Sequence, residues 1–235
     1  MTDSLRAAVL LDIDGTLVDS TYHHALAWYR AFHSVVGADR TPALWRIHRT
    51  IGMGGDKLVA EVSDEQTEQA HGEELREAWE RNYTEVEQEV QALPGVTAMV
   101  RDLLDRGYVV ALASSGKKHF SRNAADLLGI ADDIALLTTS EDAEESKPEA
   151  DLLHVTLEKL QDAHAIDRAV MVGDTPYDVE AAARAGLSCL AVRTGGFGVD
   201  ELERAGAAQV VEDLAGYADI DWEALVRPVE GNAGA

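Results

Sequence analysis

Two aspartates one residue apart, Asp12 and Asp14, close an apolar run in AVLLDIDGTLVDS, Ala8 to Ser20. A buried strand that ends in paired carboxylates brings like charges together, and such a pair is useful when it meets a cation or shares proton transfer. Asp174, at the end of a second apolar run (AVMVGD), has Asp178 four residues beyond it. Asp12, Asp14 and Asp174 form a hard oxygen donor set suited to Mg²⁺, which favours one or two carboxylates together with waters and phosphate oxygens. Alone, Asp14-Gly15 reads as a turn and Asp174 as the cap of a helix opened by Pro176. Their shared position behind apolar strands favours a site.

Other polar groups stand at similar points. Ser114-Ser115-Gly116 follows the run YVVALA, and hydroxyls with free backbone N–H groups there would hold an oxyanion. Lys147 is the only cation in the acidic stretch SEDAEESKPEAD. Just before Pro148, where a helix start prefers an acid, it is better explained by a phosphate or a buried aspartate.

The elements that must position these groups follow from the pattern. Strands are expected from Ala7, Tyr108, Ile134, Ala169 and Ser188, with a weaker one from Ala208 and helices between them from Leu93 onward. That alternation predicts a parallel sheet, whose ligands gather outside the carboxyl ends of the strands. Between Thr21 and Val90 only helices are expected: one to about Gly37 capped by Ser20 or Thr21, one opened by Thr41-Pro42, and a long charged one after Ser63. The chain therefore divides into a core of residues 1–20 and 91–235 and a helical insertion of residues 21–90. The glycines of IGMGGDK, Ile51 to Lys57, either bring the backbone close to a ligand or separate two helices. The final RPVEGNAGA reads as a loose tail.

Composition excludes several classes. The chain has 235 residues, 46% of them hydrophobic, and a formal net charge of −23. Nucleic acid and anionic membrane surfaces are repelled by such a field. No apolar run reaches a membrane span and no basic-then-apolar leader is seen, so a cytoplasmic location is expected. Cys189, the single cysteine, lies in the apolar SCLAVR and reads as a buried small hydrophobe. No unexplained apolar stripe argues for an oligomer, so a monomer is expected. The five lysines are Lys57, Lys117, Lys118, Lys147 and Lys159, of which Lys117 and Lys118 read as surface residues.

Taken together, these motifs resemble the haloacid dehalogenase superfamily. DIDGT (Asp12 to Thr16), Ser114, Lys147 in KPEAD and GDTPYD (Gly173 to Asp178) match its four motifs in order, and the helical block resembles the α-helical cap of subfamily I. The resemblance implies a Rossmann-like α/β core, doubly wound, with an inserted cap. It also implies a Mg²⁺-dependent phosphatase acting on a small phosphorylated metabolite, of the phosphoglycolate or sugar-phosphate type. Asp12 would be the nucleophile and Asp14 the acid–base group. Ser114, Ser115, Gly116 and Lys147 would bind phosphate. Asp12, the Asp14 carbonyl and Asp174 would hold the metal, supported by Asp178. Dehalogenases replace the residue at Asp14, so carbon–halogen cleavage is not expected. Members of the similar β-phosphoglucomutase branch carry a Gly-x-Ser-Arg cap loop, whereas Gly52-Met53-Gly54-Gly55 lacks the arginine, which makes a sugar phosphomutase the second reading. A phospho-accepting receiver domain is a more distant third. Substrate selection is expected from the cap, with His23, His24, Arg49 and Lys57 as candidates.

Overall fold

In a computed structural model that describes residues 6–143 and 145–229, the apolar run ahead of Asp12 becomes β1 (Arg6–Leu11), buried at every position after Arg6. The chain then builds four helices, α1 (Thr21–Val35), α2 (Leu44–His48), α3 (Gly55–Val62) and α4 (Glu65–Val86). Alternation follows through α5 (Val96–Asp105), β2 (Val109–Ala113), α6 (Lys118–Leu128), β3 (Leu136–Thr138), α7 (Asp151–His164), β4 (Ile166–Gly173) and α8 (Pro176–Arg184). It ends with β5 (Ser188–Val192), α9 (Val199–Ala205), β6 (Gln209–Val211), α10 (Trp222–Leu225) and β7 (Arg227–Pro228).

Six strands form a parallel sheet in the order β3-β2-β1-β4-β5-β6, and β7 adds antiparallel to β4. Strand alternation sends Val9, Leu11, Val110, Leu112, Val170 and Val172 to one apolar core, which includes Met99, Leu103 and Phe120 of α5 and α6. Ala8, Leu10, Ala111, Ala169 and Met171 face the other, against Leu152, Leu153 and Leu157 of α7 and Val179 of α8. Both faces are covered, which is why the strands read as continuous apolar runs. The result is a Rossmann-like parallel sheet with an inserted helical cap. β1 lies between β2 and β4, where the strand order changes direction, so its carboxyl end opens on the crevice that such sheets use for ligands.

Within the cap, α1 packs along α4 through Trp28, whose ring stacks on Trp79 at 5.4 Å. Asp64 caps α4 by accepting from the Thr67 amide at 2.7 Å. The two connections that join β1 and α5 to the cap run side by side: Asp19 N–H donates to the Gln91 carbonyl at 2.8 Å and Leu93 N–H to the Leu17 carbonyl at 2.9 Å.

Several boundaries differ from the pattern. α7 starts at Asp151 rather than Pro148, because residues 146–150 turn to carry Lys147 inward. β4 begins at Ile166, three residues early, since its polar Asp167 and Arg168 lie at the half-buried end of the sheet. The helix expected at Thr41-Pro42 is only the five residues of α2. Ser20 precedes α1 but makes no side-chain cap; its hydroxyl is used elsewhere. The expected loose tail is corrected at Arg227–Pro228, which pair with Arg168 and Ala169 on the stretch of β4 that β5 leaves uncovered. Val229 N–H donates to the Asp167 carbonyl at 2.8 Å, and residues 230–235 of that tail lie outside the described residues.

Candidate active site

At the carboxyl end of β1 the Asp12 amide still bonds to the neighbouring strand, donating to the Val172 carbonyl at 2.9 Å. This hydrogen bond fixes the backbone from which the Asp12 side chain projects. β4 delivers Asp174 directly opposite, and the first turn of α8 delivers Asp178. Oxygens of Asp12, Asp174 and Asp178 all lie within 4.8 Å of one another, and all three residues are buried. Lys147 joins them from the loop before α7. Its ammonium bonds to Asp12 Oδ1, donates to the Ala113 carbonyl at 3.3 Å and lies 2.7 Å from Asp178 Oδ1.

The second oxygen of each acid shows how it is held. Asp178 Oδ2 accepts from the Thr175 amide at 3.0 Å and from its hydroxyl at 2.7 Å, in a reciprocal capping box that starts α8. Asp174 Oδ1 accepts from Thr16 Oγ1 at 2.8 Å, while Oδ2 is buried without a hydrogen-bond partner among the described residues. A buried carboxylate oxygen left bare is costly unless a cation completes it. Gly15, at φ 80°, makes this approach of chain segments possible: a side chain there would collide with the Asp174 carboxylate and the Thr21 hydroxyl.

Electrostatics point the same way. Burial pushes the Asp12 carboxyl from its ordinary 3.8 up to about 7, with Lys147 acting in the opposite direction. Asp174 is raised well above the usual range by burial and by its neighbours Asp178 and Asp12. Burial also opposes the charge on Lys147, yet Asp12 and Asp178 outweigh it and hold the ammonium protonated. The cluster has one cation for three carboxylates, and one of its acids, Asp174, has a buried oxygen without a partner among the described residues. This donor set fits a hard divalent ion.

Asp14 is arranged differently. Its Oδ1 accepts from Ser20 Oγ at 2.6 Å and contacts His24 Nε2 at 2.9 Å. Although burial opposes it, these partners hold the Asp14 carboxyl below the usual range, the His24 charge first among them. An ionised carboxylate only accepts, so Nε2 carries the proton in this contact. The Asp14 side chain thus turns from the three-carboxylate cluster toward the cap. Its other oxygen faces Gly116, where a Cβ would stand 3.5 Å from Oδ2. Ser114 Oγ accepts from the Gly116 amide at 3.0 Å, and Ser115 Oγ is buried without a hydrogen-bond partner among the described residues.

Of these groups Asp12, Asp14 and the Ser114–Gly116 turn open on a cavity of about 280 Å³ between core and cap. Asp12, Asp14, Ser114, Ser115 and Gly116 line its core side, while Trp28, Trp79, Ile51, Met53 and Leu58 wall the cap side with Arg76 and Asp56. Of the four cap candidates, only His24 lines it. His23, Arg49 and Lys57 are not among the residues that line it. Arg49 forms an ion pair with Glu201 at 2.5 Å and lies 4.0 Å over the Phe197 ring, joining cap to core. Lys57 pairs with Glu145 at 3.0 Å across the same seam, and His23 is half-buried in α1 outside the cavity. Lys117, expected at the surface, instead lines the cavity and is held by Glu80 of α4. Gly52, Met53 and Gly55 line the cavity too, and the Gly54 amide donates to Ser146 Oγ at 3.2 Å, so this glycine loop packs against core and cavity alike. The cap contributions had a readable signal: Ser20, His24 and Trp28 repeat at a spacing of four, one helical face. Cys189 is buried as expected, and burial raises its thiol well above the ordinary range.

Comparison with known proteins defines the class. The model of the family described as haloacid dehalogenase-like hydrolase matches residues 9–192, and the chain belongs to that family. A phosphoglycolate phosphatase of Yersinia pseudotuberculosis is 31% identical over 194 residues, covering 80% of this chain and 81% of that protein. A hydrolase from Pseudomonas syringae is 29% identical with a TM-score of 0.81, covering 89% of this chain and 94% of that one. A β-phosphoglucomutase from Clostridium difficile shares the fold at a TM-score of 0.76 and 18% identity, over 94% of this chain and 95% of its own. The family and the arrangement of acids define a phosphoric monoester hydrolase of the haloacid dehalogenase type.

Proposed function

We propose that the protein is a Mg²⁺-dependent phosphatase that hydrolyses a small phosphorylated metabolite, of the phosphoglycolate or sugar-phosphate type, through an aspartyl-phosphate on Asp12. The observation that carries this reading is the buried cluster of Asp12, Lys147, Asp174 and Asp178, of which Asp12 lines the cavity. In it Asp12 attacks phosphorus while Lys147, Ser114 and the amides near Ser115 and Gly116 hold the phosphoryl oxygens. Asp14, once it has taken up a proton, gives it to the leaving alcohol oxygen, then takes one from the water that attacks the acyl phosphate, which regenerates Asp12. Asp12, Asp174 and the Asp14 carbonyl would hold Mg²⁺, with Asp178 supporting them. Bound there, the ion would offset the negative charge of nucleophile and phosphate.

The same reading takes residues 21–90 as the cap and residues 1–20 and 91–235 as the core, supported by the paired connections at Asp19 and Gln91. It takes the enzyme as a cytoplasmic monomer; the buried free thiol of Cys189 agrees with a reducing compartment, and no helix among the described residues is long and apolar enough to cross a membrane. Release of phosphate from p-nitrophenyl phosphate with and without Mg²⁺ tests the function. Turnover that depends on Mg²⁺ and is lost in Asp12→Asn supports it. A stable phospho-adduct without turnover points to a receiver-like acceptor instead and rejects it.

A further inference from the structure

Two long cationic side chains line the cavity, Arg76 from the cap and Lys117 from the core, and each is already neutralised by a cap glutamate. Arg76 Nη1 contacts both Glu68 carboxylate oxygens, at 2.8 and 3.1 Å, and donates to the Gly55 carbonyl at 3.1 Å. Lys117 is bound by Glu80, which also lies 3.7 Å from His119 Nε2. A mid-helix glycine helps the first pair: at Gly72, where Ala would favour α4 by about 1 kcal/mol, a side chain would run into the Glu68 carboxylate. The glycine leaves Glu68 room to lie against Arg76.

What remains facing the ligand is apolar or acidic. Trp28 and Trp79 form an aromatic wall, and Asp56, which accepts from Ser146 Oγ at 2.5 Å, adds a carboxylate. Flat aromatic walls suit the C–H faces of a carbon skeleton, and a carboxylate accepts from hydroxyls but repels anions. A second anionic group on the substrate would meet no uncommitted cation here and one uncompensated acid.

Resting on the phosphatase reading, we propose that the cavity selects monophosphate esters of uncharged, hydroxyl-bearing alcohols, of the sugar or polyol kind, and discriminates against esters that carry a carboxylate or a second phosphate. Glu68 and Glu80 enforce the selection by silencing Arg76 and Lys117. Substrate choice is thus set by acids that mask cations, and removing the mask changes the preference.

The test compares kcat/KM at saturating Mg²⁺ for glycerol 3-phosphate and glucose 6-phosphate against phosphoglycolate and fructose 1,6-bisphosphate, in wild type, Glu68→Gln and Glu80→Gln. Wild type is expected to favour the uncharged alcohols at least tenfold. At least one variant is expected to raise the ratio of phosphoglycolate to glycerol 3-phosphate turnover by about tenfold, the effect of one charge-assisted hydrogen bond. Equal or better wild-type turnover of phosphoglycolate overturns the proposal, as does an unchanged ratio in both variants. Hydrolysis of p-nitrophenyl phosphate separates the two levels: if it proceeds while phosphoglycolate is preferred, only the selectivity fails. If wild type hydrolyses no ester at all, the phosphatase reading fails and the selectivity with it.

Discussion

The imidazole of His24 meets the carboxylate of Asp14 at 2.9 Å, so a cap helix grips the group proposed as acid–base catalyst in the core. The His24 ring is itself fixed, stacked on Tyr83 at 3.9 Å and on Trp79 at 5.6 Å. Cap and proton transfer are therefore coupled through one side chain.

Removing that grip should slow the chemistry more than it weakens binding. In His24→Ala, kcat is expected to fall about 10- to 100-fold, part of what a positioned acid–base group contributes, with KM changed much less. Steady-state kinetics on p-nitrophenyl phosphate check this, and an unaltered kcat would remove His24 from the role.

Lys147 is 1% exposed between two acids, so its loss leaves buried carboxylates without a partner. Lys147→Met should destabilise the metal-free protein by about 3 kcal/mol or more at pH 8, and by less at pH 5, where the carboxyls can take up protons. Urea titration at both pH values measures it. An equal loss at both would show that charge is not the cause.

The raised carboxyls predict how Mg²⁺ stabilisation depends on pH. Asp12 rises from 3.8 to about 7 on folding, so its contribution is full below 3.8 and is lost as pH climbs through 7. Asp174 shifts in the same direction. A metal that needs both acids ionised relieves this loss, so the rise in Tm caused by Mg²⁺ should be larger at pH 8 than at pH 5.5. A shift that is constant or shrinks with pH contradicts the assignment of these acids to the ion.

Arg49 tests the seam between cap and core. With its pair to Glu201 and its place over Phe197, Arg49→Ala should raise KM for every ester by a similar factor of about 2 to 5, the scale of a partly exposed ion pair. A selective loss of one ester class would instead make it a substrate contact.

The core acids and Lys147 were legible because each is an anomaly in its own neighbourhood: carboxylates at the ends of apolar strands, and one lysine in an acidic run. The expected parallel sheet and helical insertion followed from the change in texture after Val90. The cap's part in the site was less legible, because it depends on pairings between distant segments. Nothing near Lys117 announces Glu80, and nothing near Arg49 announces Glu201, so one cation was taken for surface and the other for substrate contact. The two-residue β7 left no apolar signature, since both of its residues are exposed and only its backbone pairs with β4.

The order of strands in the sheet also has a consequence during synthesis. Thr16 and Asp174 touch although 158 positions separate them, and Lys147 reaches Asp12 across 135. β1 leaves the ribosome early, yet its two neighbours are β2 and β4, whose residues emerge long afterwards. A nascent chain therefore holds the apolar β1 unpaired until β2 and then β4 have been made, a state prone to association with other chains. The same ordering would keep every unfinished chain inert, because Asp12, the proposed nucleophile, meets Lys147 and the opposing acids only when the core closes.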